Sequence, residues 1–277
     1  MAVILALGSA LCYGVADFAG GLLSRRAHYA VVAFIGQAGG LIVALAAAAA
    51  TSPAAPGLPG LAWGALSGLG TGAGMLFLYR GMSHGAVSVV VPVSAVSGVA
   101  LPVLAAVAFL GERPSPLSWC GIAVAVPALS LVSTTRNGAD PAAPAAIDGL
   151  LAGTGIAVQY LALAQAPAGS GLWPVAAGRL AACLAIAPLV APARVPFRLP
   201  RRLSLAAAAN GTVAAAALTL YLLAARQQLL AIAVVLSSLY PAIPVLLGLT
   251  VLRERLTRPQ LAGMVAAAAA VALLTAG

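Results

Sequence analysis

Two charged side chains lie well inside long apolar runs of this sequence, and their charges are opposite. Asp17 lies in the first run and Arg179 in a run of the second half. A charge within hydrocarbon costs roughly 2.5–3.5 kcal/mol on insertion scales, so such residues usually face a bundle interior or a wet cavity. The planar guanidinium of Arg179 suits a carboxylate or a phosphate. The pair predicts a substrate site, and a structural ion pair between the two helices is the alternative.

A repeated segment indicates how the chain is built. Residues 79–113 and 221–255 match at nine positions when they are aligned at a constant offset of 142 residues, and Tyr79 then falls on Tyr221. An offset near half the chain length predicts a duplicated half and not a solenoid of short units.

The same offset gives each charged residue a polar partner in the other half. Asp17 aligns with Gln159, and Gln37 aligns with Arg179. Asp17 would either meet a substrate ammonium group or exchange a proton, and the two glutamines would supply neutral hydrogen bonds. The four residues are therefore predicted to line one central cavity.

Serines and tyrosines of the repeated segments complete the predicted site. The candidates are Ser94, Ser97, Ser237, Ser238, Tyr79 and Tyr221. Serines three residues apart share one helix face, where they would line a path or bond a neighbouring helix. The tyrosines would act as cavity gates or as anchors at the membrane interface.

The elements that position these residues are membrane spans. The chain is 62% hydrophobic and 7% charged, and its mean hydropathy is +1.08. Apolar runs of roughly 20 residues match the thickness of a bilayer. The fold class is therefore an all-α polytopic membrane protein with ten spans. These are predicted at 2–23, 30–50, 61–79, 86–109, 117–133, 147–166, 171–192, 204–224, 229–252 and 259–276.

Five spans in each half force the second half to enter the membrane from the opposite side. The predicted organisation is a first repeat at 1–135, a linker loop at 136–146 and a second, inverted repeat at 147–277. Inverted repeats are a transporter architecture with the site near the midplane between the halves. Within the third span, Gly64, Gly68 and Gly72 predict close packing against another helix.

The remaining composition argues against several function classes. All 14 cations are arginine, and 13 lie at the ends of apolar runs, where they meet lipid headgroups and do not form a nucleic-acid surface. The three cysteines have no metal or redox spacing. No motif for a nucleotide, a metal or another cofactor is present, and paired carboxylates or a histidine cluster within the spans are lacking. We therefore expect no enzyme and no cofactor.

The repeated segments resemble the EamA-type family of the drug/metabolite transporter superfamily. Each ends on a motif typical of that family, Leu110-Gly111-Glu112-Arg113 in the first half and Leu252-Arg253-Glu254-Arg255 in the second. The resemblance implies a ten-helix inverted-repeat carrier with cytoplasmic termini. The arginine excess of the odd-numbered loops places the termini outside instead, so the orientation stays open.

The predicted function is secondary transport of small metabolites by alternating access, as an exporter of amino-acid-like or drug-like solutes. Protons are a candidate coupling ion, and the location is a cell membrane of the bacterial inner or plasma type. The alternative is a flippase for a lipid or a polyisoprenoid phosphate. An intramembrane enzyme and a non-transporting subunit of a larger complex are further classes.

Overall fold

The computed structural model describes residues 2–51, 57–84, 89–98, 115–132, 142–190, 199–227, 242–251 and 257–276. These residues form nine α-helices, a short helical segment at Val89–Gly98 and a single turn of 3-10 helix, and they contain no strand. The helices, numbered in chain order, are α1 (Ala2–Ser24), α2 (Tyr29–Thr51), α3 (Leu58–His84), α4 (Pro116–Val132), α5 (Ala142–Ala164), α6 (Trp173–Val190), α7 (Arg201–Gln227), α8 (Ala242–Thr250) and α9 (Arg258–Ala276).

Six of these helices are long and apolar enough to cross a membrane. The candidate spans are Ile4–Ser24, Tyr29–Thr51, Leu58–His84, Ala143–Ala164, Trp173–Val190 and Arg201–Ala224. The prediction of an all-helical, multi-pass membrane protein is therefore confirmed. The ten-helix inverted repeat stays a prediction, because much of the predicted spans 86–109 and 229–252 lies outside the described residues.

Two helix ends differ from the sequence prediction. Helix α3 continues to His84 instead of ending at Tyr79, and its last turn accepts a 3.3 Å hydrogen bond from Arg25 Nε to the carbonyl of Met82. Helix α5 begins at Ala142, within the predicted linker. Alanine favours helix, and Pro144 is tolerated because it lies in the first turn.

Helix α3 packs closely between α5 and α6 because glycines replace side chains on both of its contact faces. On one face, a Cβ atom at Gly64 or Gly68 would collide with the α6 backbone at Pro174 or Gly178. On the other face, a Cβ at Gly70 would lie 2.6 Å from the carbonyl oxygen of Gly155 in α5. The close packing predicted for these glycines is confirmed at Gly64 and Gly68, whereas Gly72 has ordinary van der Waals contact with its neighbour.

Helices α2 and α7 meet in the same way. A Cβ at Gly39 would lie 2.6 Å from the carbonyl oxygen of Ala208, and a Cβ at Gly40 would lie 2.7 Å from that of Gly211. At the repeat offset, α1, α2 and α3 correspond to α5, α6 and α7. The contact of α3 with α5 then has its counterpart in α1 with α7, and that of α3 with α6 in α2 with α7. Duplicated halves would produce this pattern.

The remaining pair, α4 and α9, packs together at the edge of this arrangement. Ala128 of α4 and two buried alanines of α9 close on Val96 of the segment Val89–Gly98. The six longer helices therefore enclose the buried polar residues described next.

Candidate functional site

Arg179 and Gln37 contact each other at the centre of the helix bundle. Arg179 Nη1 donates a 2.7 Å hydrogen bond to Gln37 Oε1, and these residues are 142 positions apart, so equivalent positions of the two halves meet. The side chain of Arg179 is 1% exposed, yet its Nε and Nη2 atoms have no hydrogen-bond partner. These two N–H groups lie on one edge of the guanidinium, which is the fork that binds a carboxylate or phosphate with two parallel bonds.

Asp17 is a second buried charge without a partner at one of its oxygens. It lies in α1 and is 2% exposed, and its Oδ1 accepts no hydrogen bond. Asp17 and Arg179 form no salt bridge within 4.0 Å, although both are described. The alternative of a structural ion pair between their helices is therefore wrong for this structure.

A chain of hydrogen bonds surrounds the two charges. Gln159 Nε2 donates to the hydroxyl oxygen of Tyr13 at 3.0 Å, and Gln159 Oε1 lies 2.7 Å from Thr71 Oγ1. Tyr13 interacts electrostatically with both Arg179 and Asp17. Helices α1, α3, α5 and α6 thus bring their polar side chains to one place, and Gln159 is held there as predicted for a residue of the cavity wall.

The two repeat tyrosines lie inside the protein and not at a lipid interface. Tyr79 is 4% exposed, and its hydroxyl oxygen accepts a 3.1 Å hydrogen bond from Asn210 Nδ2, while its ring contacts Gly20. Tyr221 is 2% exposed and packs edge-on against Tyr160 with ring centroids 4.7 Å apart. Their burial contradicts the interface-anchor interpretation, and a place in the wall of the site stays a prediction.

The predicted serines do not join this cluster by any printed hydrogen bond. Ser94 Oγ donates to the carbonyl of Val91 at 2.9 Å, and Ser97 Oγ donates to that of Val93 at 2.7 Å, so both hydroxyls bond their own helix. Ser97 also abuts Gly153 of α5. The helix-packing interpretation therefore explains both residues. Ser237 and Ser238 lie outside the described residues.

Four polar residues near the centre or at one membrane face escaped the sequence reasoning. Tyr13, Thr71 and Asn210 are neutral, and only the rotation of each helix decides whether such a residue faces a cavity or a neighbour. The fourth, Asp148, is 5% exposed and receives hydrogen bonds from Arg80. It lies at the start of a predicted span, where an acid is ordinarily solvated. Its burial overturns the expectation that the spans contain a single acid.

The chemistry of the cluster is that of an organic ligand site. Among the described residues, no group of three histidine, cysteine or acidic side chains would hold a metal ion. What the centre offers is a free guanidinium edge, an unpaired carboxylate oxygen and neutral amide and hydroxyl groups. This set complements a small molecule that carries an anion, with or without an ammonium group.

Comparisons with known proteins agree with this architecture. Residues 1–134 match the family described as the EamA-like transporter family. A solved structure titled only "Crystal structure of protein" superposes with a TM-score of 0.59 at 18% sequence identity, over 98% of this chain and 95% of the other. That likeness shows a shared fold alone. No curated protein matches the sequence.

Proposed function

Because residues 1–134 belong to the EamA-like transporter family of the drug/metabolite transporter superfamily, we propose that this protein is a secondary transporter whose central site is formed by Arg179 and Asp17. The cargo is a small carboxylate or an amino-acid-like zwitterion, and the direction is export. The protein works by alternating access between its two halves. The observation that carries the proposal is the free edge of a guanidinium that is 1% exposed.

The free edge is costly unless a ligand occupies it. A buried donor without a partner costs about 1–3 kcal/mol, and Arg179 has two such donors on one edge. Gln37 holds the opposite side of the guanidinium through Nη1 and thereby fixes the plane of the fork. A carboxylate arriving in that plane satisfies both donors and neutralises the charge, which water in a narrow cavity does less completely.

Asp17 determines what else the cargo carries. If Asp17 faces the same ligand, its free oxygen accepts from an ammonium group, and the preferred cargo is a zwitterion. If it exchanges a proton instead, the carrier is proton-coupled. The two roles separate in vesicles, because only the second makes transport respond to an imposed pH gradient.

The enclosure of the site favours a small solute over a lipid. A flippase must admit a headgroup while the lipid tails stay in the bilayer, so its cation must be reachable from the side. Arg179 instead lies behind α1, α2, α3 and α7, and its partner Gln37 is only 3% exposed. The lipid and polyisoprenoid-phosphate alternative is retained as an outcome of the experiment.

Binding to purified protein tests the proposal. We expect thermal stabilisation or calorimetric binding with members of a panel of amino acids and small carboxylates. Arg179→Gln should weaken that binding roughly 100-fold, since two charge-assisted hydrogen bonds contribute about 3 kcal/mol. Arg179→Lys keeps the charge but loses the fork, so it should recover only part of the affinity.

Arg26→Gln is the matched control, because Arg26 is exposed at the end of α1 and its loss removes one positive charge without touching the centre. Affinity equal to that of the parent in Arg179→Gln would refute the site. Binding of lipid phosphates but of no small carboxylate would favour the flippase.

A further inference from the structure

One membrane face of the bundle is held by an ion pair between the two halves. Arg80 lies near the end of α3 and Asp148 near the start of α5, and both Nε and Nη2 of Arg80 donate to Asp148 Oδ1, at 2.9 and 2.5 Å. The Asp148 side chain is 8% exposed, whereas that of Arg80 is 37% exposed. The contact is tight, because a Cβ at Gly81 would lie 2.9 Å from Asp148 Cβ.

The opposite membrane face closes with different chemistry. At the offset of 142 residues, Arg80 corresponds to Leu222 and Asp148 corresponds to Ala6. Leu222 is 2% exposed and Ala6 is 0% exposed, and Ala6 packs against Ala224 in an apolar cluster. One face therefore closes on an ion pair and the other on apolar side chains.

The ion pair is connected to the central site through the neighbouring residue. Tyr79 directly precedes Arg80, its ring contacts Gly20 of α1, and its hydroxyl is bonded to Asn210 of α7. Tyr79 also interacts electrostatically with Asp17. Holding the end of α3 against α5 therefore also holds the Tyr79 layer in place between this face and the centre.

The surroundings of the pair allow water to reach it when it separates. A pocket of about 530 Å³ opens at the end of α3 and the start of α5, with Arg80 and Asp148 in its wall. The Arg80 guanidinium also stacks over the Phe77 ring at 4.7 Å, which supports it within the closed arrangement. Opening this face exchanges one buried hydrogen-bonded ion pair for hydrated charges.

We infer that the Arg80–Asp148 pair is a clamp that keeps the central site closed at its own membrane face, and that the opposite face has no equivalent clamp. The inference rests on the proposed carrier function. It assigns the two faces unequal resistance to opening, although the scaffold that forms them is duplicated. Loss of either charge should therefore expose the centre from the Arg80 face only.

A native thiol reports this opening without any substrate. Cys183 lies one turn after Arg179 in α6 and is 8% exposed. With Cys12→Ala and Cys120→Ala, it becomes the single cysteine of the chain. Its rate of reaction with a membrane-impermeant maleimide, measured from each side in oriented vesicles, gives the accessibility of the centre from each face.

In this background, Asp148→Asn and Arg80→Gln should each raise labelling from the Arg80 face by at least about five-fold, which corresponds to about 1 kcal/mol. Labelling from the other face should not rise. The exchange of both charges, Arg80→Asp with Asp148→Arg, should return labelling toward the parent rate. Arg26→Gln controls for the loss of an arginine and should leave it unchanged.

The clamp is refuted if folded Asp148→Asn and Arg80→Gln label like Arg26→Gln, or if labelling rises equally from both faces. If Asp148→Asn does not fold, Arg80→Gln alone decides the question. The result is independent of cargo. Unchanged solute binding in Arg179→Gln would remove the proposed site without altering the labelling data, whereas unchanged labelling would remove the clamp and leave solute binding intact.

Discussion

Substituting alanine at two glycines of α3 gives a matched test of how the bundle is held together. A Cβ at Gly68 would lie 2.6 Å from both Cα and the carbonyl carbon of Gly178, and it would be closer still to the carbonyl oxygen. A Cβ at Gly72 would meet its nearest neighbours, Cα and the carbonyl oxygen of Ala182, at 3.4 Å. Because both glycines lie on the same helix one turn apart, alanine changes helix propensity equally at both, by about 1 kcal/mol in its favour.

The difference between the two variants therefore isolates the packing cost. To bring the Gly68 contact to the distance found at Gly72, α3 and α6 must separate by about 0.8 Å, the difference between 3.4 and 2.6 Å. Overpacking of this kind costs about 1–3 kcal/mol. We expect Gly72→Ala to be neutral or slightly stabilising. Gly68→Ala should be about 1–3 kcal/mol less stable than Gly72→Ala.

Reversible unfolding in mixed micelles, followed by tryptophan fluorescence, measures this difference. The order should be the same with and without bound solute, since the contact is between helix backbones. Equal stability of the two variants would refute the close approach of α3 and α6. A Gly68→Ala protein that keeps full stability but loses solute binding would show that this glycine faces the cavity instead.

Three further predictions concern the central site. Gln37→Glu places a carboxylate against Arg179 Nη1, so anion affinity should fall at least about ten-fold while thermal stability does not decrease, as calorimetry and melting curves would show. Tyr13→Phe leaves the Gln159 amide without its acceptor and should cost about 1–3 kcal/mol in unfolding free energy, and an unchanged value would exclude that bond. Asp17→Asn should abolish the response of transport to a pH gradient if Asp17 carries the proton, or weaken only ammonium-bearing cargo if it does not, as vesicle uptake would distinguish.

The parts of the site that were predictable from sequence are those with a large energetic signature. A charge in an apolar run is expensive wherever the helix points, so Asp17 and Arg179 could be identified without a structure. The repeat offset then paired Gln37 with Arg179 by alignment alone, and the structure places these two in direct contact. Helix positions were equally accessible, because a long apolar run has few alternatives in a membrane.

The parts that could not be predicted depend on side-chain direction and on helix ends. Ser94 and Ser97 share a face as expected, yet their hydroxyls bond carbonyls of their own helix, an option that spacing does not exclude. Tyr13 and Asn210 are neutral and carry no signal in a sequence rich in membrane-embedded polar contacts. Asp148 stands where a helix leaves the membrane, and its burial depends on an arginine from the other half.

The contact between Gln37 and Arg179 explains why duplicated halves must diverge at their centre. If both positions carried arginine, two unit charges about 4 Å apart would repel by about 4 kcal/mol at an effective dielectric of about 20. If both carried glutamine, the centre would hold no fixed positive charge. One glutamine instead accepts from Nη1 and leaves Nε and Nη2 free on the far edge, so the neutral partner sets the direction of the charged one.

The second pair of equivalent positions diverges in the same sense. Asp17 keeps a free carboxylate oxygen, while its counterpart Gln159 is tied by hydrogen bonds to Tyr13 and Thr71. Each pair thus retains one charge, and the two charges are opposite and not paired with each other. A ligand between them would experience a site with a defined positive end and a defined negative end, although the scaffold is built from a repeat. Such polarity would let a symmetric carrier fix the orientation of an asymmetric zwitterion.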